Sequence, residues 1–127
     1  MKIRAVVVAC LALAACEEEA LTGSGLYAAY CASCHGADAR GGSTAIDGEL
    51  ASDLTVLAKN NGGVYPAAYV MSTIDGYARE QTHGVMPIFG RLLDSPLEIW
   101  VDDNGVPTPT PRALLLLNEY LTGQQEE

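Results

Sequence analysis

The 127-residue chain is poor in positive charge. It has 7 Lys and Arg against 16 Asp and Glu, a formal net charge of −9. That sign repels a phosphate backbone and excludes nucleic acid as a partner. Histidine occurs twice, as His35 and His83, and phenylalanine and tryptophan once each. A chain of this size with so few large apolar rings cannot build a large core from protein atoms alone. No apolar run reaches the roughly 20 residues a membrane-spanning helix needs. Cysteine is limited to Cys10, Cys16, Cys31 and Cys34. This excludes a dense disulfide scaffold.

The N-terminus has the pattern of an export signal. Lys2 and Arg4 precede the apolar run Ala5–Leu13, and Leu13-Ala14-Ala15-Cys16 follows. Small residues before a cysteine resemble the lipobox of bacterial lipoproteins, in which that cysteine becomes the lipid-bearing first residue. The competing reading is an ordinary secretory peptide cut after Ala15. The lipoprotein reading divides the chain into a signal peptide at 1–15, an acidic tether at 16–21 and a domain at 22–127. Without Lys2 and Arg4 the mature chain has 5 basic against 16 acidic residues, a net charge of −11. Such a surface suits a basic partner, and is equally a plain solvated acidic surface.

The most specific motif is Cys31-Ala32-Ser33-Cys34-His35. C-x-x-C-H is the attachment sequence of a c-type haem. Two thiols on one helical turn can each add across a vinyl group of one porphyrin. The adjacent histidine is then held against the iron as axial ligand. A zinc site would need two more ligands, and only Cys16 and His83 remain in the mature chain. A thioredoxin-like pair would follow a strand, whereas Gly25-Leu-Tyr-Ala-Ala-Tyr30 reads as helix. With Cys31 and Cys34 on haem and Cys16 on lipid, no thiol is left for a structural disulfide.

Helical patterning recurs along the chain. Thr22 or Ser24 caps a first helix that runs into the motif. Residues 36–48 form a Gly-rich loop, and Ser52 or Asp53 caps a short helix carrying Leu54, Leu57 and Ala58. Pro66 opens a helix with Ala67, Val70, Met71 and Ile74 on one face, ended by Gly76. Ser95-Pro-Leu-Glu98 has the form of a capping box, predicting a short helix through Trp100. Asn104-Gly105 alternatively joins a small hairpin. Thr110 and Pro111 open a last helix with Leu114, Leu117 and Leu121 in register, ended by Gly123.

For the second axial position Met86 is the leading candidate. It lies in the irregular stretch Gly84-Val85-Met86-Pro87, where backbone turns can aim a thioether. Met71 competes but repeats with a helical apolar stripe, and His83 is the third candidate. Tyr77, Arg79, Arg91 and Trp100 are weaker candidates for contact with haem propionates.

Together these residues resemble class I cytochrome c. Gly23 and Tyr27, eight and four residues before Cys31, match the family's first helix; Met86-Pro87-Ile-Phe-Gly90 is similar to its methionine loop; Leu117-Asn-Glu-Tyr-Leu121 is similar to its last helix. The resemblance implies an all-α fold of about four to five helices round one covalent haem c, with the last helix crossing the first near its glycine. It implies an electron carrier and not an enzyme: a membrane-anchored periplasmic monohaem shuttle between redox protein partners. The alternative is a haem-bearing relay or assembly subunit of a larger respiratory or dehydrogenase complex. The stretch Val101–Pro111 departs from the family pattern as an insert before the last helix.

Overall fold

The computed structural model describes residues 21–42, 45–77 and 86–126. The leader, the Cys16 lipid site, Arg79, His83 and Gly84 lie outside these residues. In chain order the elements are α1 (Gly23–Tyr30), α2 (Ala32–His35), β1 (Ala45–Ile46), β2 (Glu49–Leu50), α3 (Leu57–Asn60), α4 (Ala67–Asp75), β3 (Leu97–Val101), β4 (Pro107–Pro111) and α5 (Arg112–Gly123).

The first and last helices meet at Gly23. A β-carbon there would stand 2.2 Å from the Leu116 carbonyl oxygen and 2.7 Å from Tyr120 Cβ, so only glycine permits the crossing. One turn on, the rings of Tyr27 and Tyr120 pack with centroids 5.2 Å apart. Leu26 and Tyr27 of α1, Val70, Met71 and Ile74 of α4, and Leu114, Leu117 and Leu121 of α5 form the core with Phe89 and Leu93. The apolar spacing of α4 and α5 thus serves one shared interior. Thr22 is the cap of α1, its Oγ1 accepting from the Gly25 N–H at 3.1 Å. Gly76, at φ 96°, closes α4 with its N–H donating to Ser72.

The all-α expectation is corrected. The described residues are mixed, with five helices and two two-stranded antiparallel sheets, β1–β2 and β3–β4. The helix expected over Ser95–Trp100 is strand β3. Leu97, Ile99 and Val101 alternate with Glu98 and Trp100 and pair with Pro-Thr-Pro-Thr-Pro, a segment whose missing N–H groups forbid a helix. Gly105, at φ 79°, makes the turn between them. Ser95 does cap a helix, but it is α5: its Oγ accepts the Ala113 N–H at 2.9 Å. Glu98, instead of closing a capping box, pairs with Arg112. Thr110 therefore lies in β4, and α5 begins one residue after Pro111.

The short helix expected after Asp53 is also displaced. Asp53 Oδ1 accepts both the backbone N–H (2.8 Å) and the hydroxyl (2.6 Å) of Thr55, which makes a turn, and α3 begins at Leu57. The chain end returns to this region. Gln125 Nε2 donates to the Leu54 and Leu121 carbonyls, its Oε1 accepts the Ala58 N–H, and the Glu126 N–H donates to Thr55. Arg40 pairs with Glu126 from the loop after α2.

Candidate functional site

Cys31-Ala-Ser-Cys34-His35 continues α1 by one tight turn. The Cys31 N–H donates to Tyr27, and the His35 N–H to Cys31, both at 2.9 Å. Gly36, at φ 79°, stops the turn, and the Tyr27 hydroxyl donates to its carbonyl at 2.7 Å. The two thiols are free, Cys31 buried and Cys34 half-buried. Burial, and then Cys34 beside it, pushes the Cys31 thiol up to about 11. Burial chiefly, with Cys31 next, pushes the Tyr27 phenol up to about 12.

His35 is oriented from outside its own helix. Its Nδ1 lies 2.8 Å from the Ser52 carbonyl oxygen. A carbonyl only accepts, so Nδ1 is the donor, and in the neutral ring Nε2 keeps its lone pair. This is the arrangement in which an imidazole binds metal, with its other nitrogen fixed by a carbonyl. The loop after the motif makes the approach of Ser52 feasible. The Gly41 N–H donates to the His35 carbonyl at 2.7 Å, and the Gly42 N–H to Ala51 at 2.9 Å. A β-carbon on Gly41, at φ 64°, would stand 2.3 Å from the Ala51 oxygen and 2.5 Å from the Ser52 oxygen. Ser52 entered the sequence reading only as a helix cap. A backbone acceptor has no residue signature, and the Gly41-Gly42 pair was its one trace.

The loop carrying Met86 is seated on the end of α4. The Phe89 N–H donates to Ile74 at 3.1 Å; β-carbons on Gly76 and Gly90 would meet Ile88 and Asp75 respectively, each at 2.7 Å. Phe89 packs against Tyr30 of α1 with ring centroids 6.3 Å apart, which ties this loop to the motif helix. Met86 is half-buried at the core's margin, whereas Met71 is 5% exposed within the α4 stripe. Tyr77 and Arg91 are exposed. Trp100 lines a cleft of about 250 Å³ with Tyr65, Tyr69 and Asp102, and no residue of the motif lines it.

The residues present suit a covalent haem. Two unpaired thiols share one turn, and a histidine beside them keeps one ring nitrogen available. Among the described residues no three His, Cys, Asp or Glu side chains gather as a metal site. No described helix is long and apolar enough to cross a membrane. The family model described as "Cytochrome C oxidase, cbb3-type, subunit III" matches residues 18–98, from the tether through the motif and methionine loop into β3. No curated protein and no solved structure matches the chain. The chain therefore belongs to this family of c-type cytochrome domains, which carry covalently bound haem and transfer electrons.

Proposed function

We propose that the protein is a membrane-anchored monohaem electron carrier on the periplasmic side of a bacterial membrane. The observation that carries the electron-carrier part of this reading is the His35 Nδ1–Ser52 carbonyl bond at 2.8 Å, directly beside two free thiols; the anchor rests on Leu13-Ala14-Ala15-Cys16 alone. Cys31 and Cys34 would hold the haem covalently, and His35 Nε2 and Met86 would hold its iron. When bound, the haem supplies a one-electron iron couple. The Ser52 carbonyl makes the imidazole a stronger donor, favouring the ferric state. The soft Met86 sulfur acts in the opposite direction. Lipid on Cys16 would keep the domain near its membrane, since a six-residue tether extends about 20 Å. The acidic surface favours basic redox partners, with association rates that fall as salt rises.

A redox-titrated visible spectrum of the purified mature protein, with mass spectrometry of its haem peptide, tests the reading. A c-type spectrum and a haem adduct on the Cys31–His35 peptide are expected. Haem lost to acid–organic extraction, or zinc in its place, would overturn it. The family's description as an oxidase subunit supports a second reading, a relay within a larger respiratory complex. Stable co-purification with membrane subunits separates the two.

A further inference from the structure

The β3–β4 hairpin has one closed edge and one open edge. Its register pairs Leu97 with Pro111, Glu98 with Thr110, Ile99 with Pro109, Trp100 with Thr108 and Val101 with Pro107. In an antiparallel ladder the N–H and C=O of one residue point to the same side, and successive residues alternate between the partner strand and the outside. Pro107, Pro109 and Pro111 have no N–H, so the bonded pairs are Glu98 with Thr110 and Trp100 with Thr108. The bonds that flank the ladder keep the same alternation: Arg112 N–H to Pro96 at 2.9 Å and Asp102 N–H to Val106 at 3.2 Å.

The outer edge of β4 is thus a row of prolines that cannot donate to another strand. The outer edge of β3 is different. It presents the N–H and C=O groups of Leu97, Ile99 and Val101, and no other described backbone group bonds to them. Their side chains are 65%, 64% and 55% exposed and share a face with the three prolines. The result is an apolar strip beside a row of donors and acceptors that no described residue pairs.

Charge identifies what fits there. Asp94 and Asp103, beyond the two ends of β3, are exposed, and neither takes part in the ion pairs of the described residues. Glu98, between them, is neutralised by Arg112. A second copy of the mature chain would bring −11 against −11. We propose that the open edge of β3 docks an extended segment of a partner protein as an added strand, apolar in its middle and with Lys or Arg at its ends. This does not depend on the haem reading, because no part of the edge belongs to the motif.

The test uses the haem-loaded mature protein and the synthetic peptide Lys-Val-Thr-Val-Thr-Val-Lys, followed by amide NMR and hydrogen exchange. In the free protein the amides of Glu98 and Trp100 should exchange slowly and those of Leu97, Ile99 and Val101 rapidly, and the peptide should slow the latter three. Ile99→Pro removes an outward donor and no ladder bond; it should weaken peptide binding at least tenfold while leaving the visible spectrum unchanged. A peptide N-methylated at alternate residues, which needs no variant to fold, should not bind. Asp94→Asn with Asp103→Asn should weaken binding at low salt only. The proposal is overturned by absence of binding at millimolar peptide, by equal binding of the N-methylated peptide, or by protection of the three amides in free monomer. Concentration-dependent dimerisation that protects them would overturn it in favour of a second copy. None of these outcomes alters the spectrum, so failure here is distinguishable from failure of the electron-carrier reading.

Discussion

Gly41→Ala tests whether a close backbone approach orients His35, and Gly42→Ala is its control. Both glycines have positive φ, 64° and 74°. An alanine at either should cost about 1–2 kcal/mol for the left-handed conformation alone. Around Gly42 no described residue lies within 4 Å of the added carbon, so the cost should stop there. At Gly41 the carbon meets the Ala51 oxygen at 2.3 Å and the Ser52 oxygen at 2.5 Å. Restoring ordinary contact requires the strand of backbone at 51–52 to retreat by about 1 Å. That retreat takes the 2.8 Å bond between His35 and Ser52 beyond hydrogen-bonding range. Its loss should add about 0.5–1.5 kcal/mol. Gly41→Ala should therefore melt lower than Gly42→Ala, by about 4–8 °C for each kcal/mol between them. The reduction potential is the second readout. Without the Ser52 carbonyl the imidazole is a weaker donor, so the potential should rise in Gly41→Ala and stay unchanged in Gly42→Ala. Thermal unfolding and redox titration of the two variants measure both. Equal stability and equal potential would refute the argument that Gly41 admits the acceptor for His35.

Other expected outcomes concern the tyrosines and methionines. Tyr27→Phe removes the hydroxyl that donates to Gly36 and should cost about 1 kcal/mol in denaturant unfolding. Tyr65→Phe should be neutral or stabilising, because the Tyr65 hydroxyl is buried without a well-formed hydrogen bond, near a Thr122 hydroxyl that already donates to Asn118. Burial pushes both phenols up to about 12. The unfolded chain loses these protons near pH 10 and the folded chain keeps them. Stability should be fully present below pH 10 and fall between about 10 and 12, and the double Phe variant should flatten that limb. Met71→Ala should cost about 2–5 kcal/mol, given its burial, and leave any thioether signature in the ferric spectrum intact. Met86→Ala should abolish that signature and admit carbon monoxide; survival of the band would rule out Met86 as the ligand.

The parts legible in the sequence were those that depend on local spacing. Cys31, Cys34 and His35 share a turn because of their separation alone, and Ala67, Val70, Met71 and Ile74 share a face for the same reason. The α1–α5 crossing does not follow from spacing and was legible only through the family resemblance that Gly23 and Tyr120 help to carry. Ser95–Glu98 misled because the local capping pattern was outweighed by a partner more than ten residues away. Leu97–Val101 is a strand because Pro107–Pro111 pairs with it, and Ser95 caps α5 because the hairpin brings them together. Asn104-Gly105 was the correct signal for that hairpin, and it stood second to the helix. Ser52 was invisible as an acceptor for His35, since its side chain is not what His35 uses.

The burial of Cys31 has a consequence for the order of events in making the protein. Its side chain is 7% exposed and belongs to the apolar core. A thiol in that position is poorly placed to react with anything. If the haem is held through this cysteine, as proposed, attachment has to precede the final packing of the core around it. Helix α5 is part of that core and settles on α1 at Gly23, against Leu116 and Tyr120. A variant in which α5 docks early or too tightly would then lose haem content without losing any residue that touches haem.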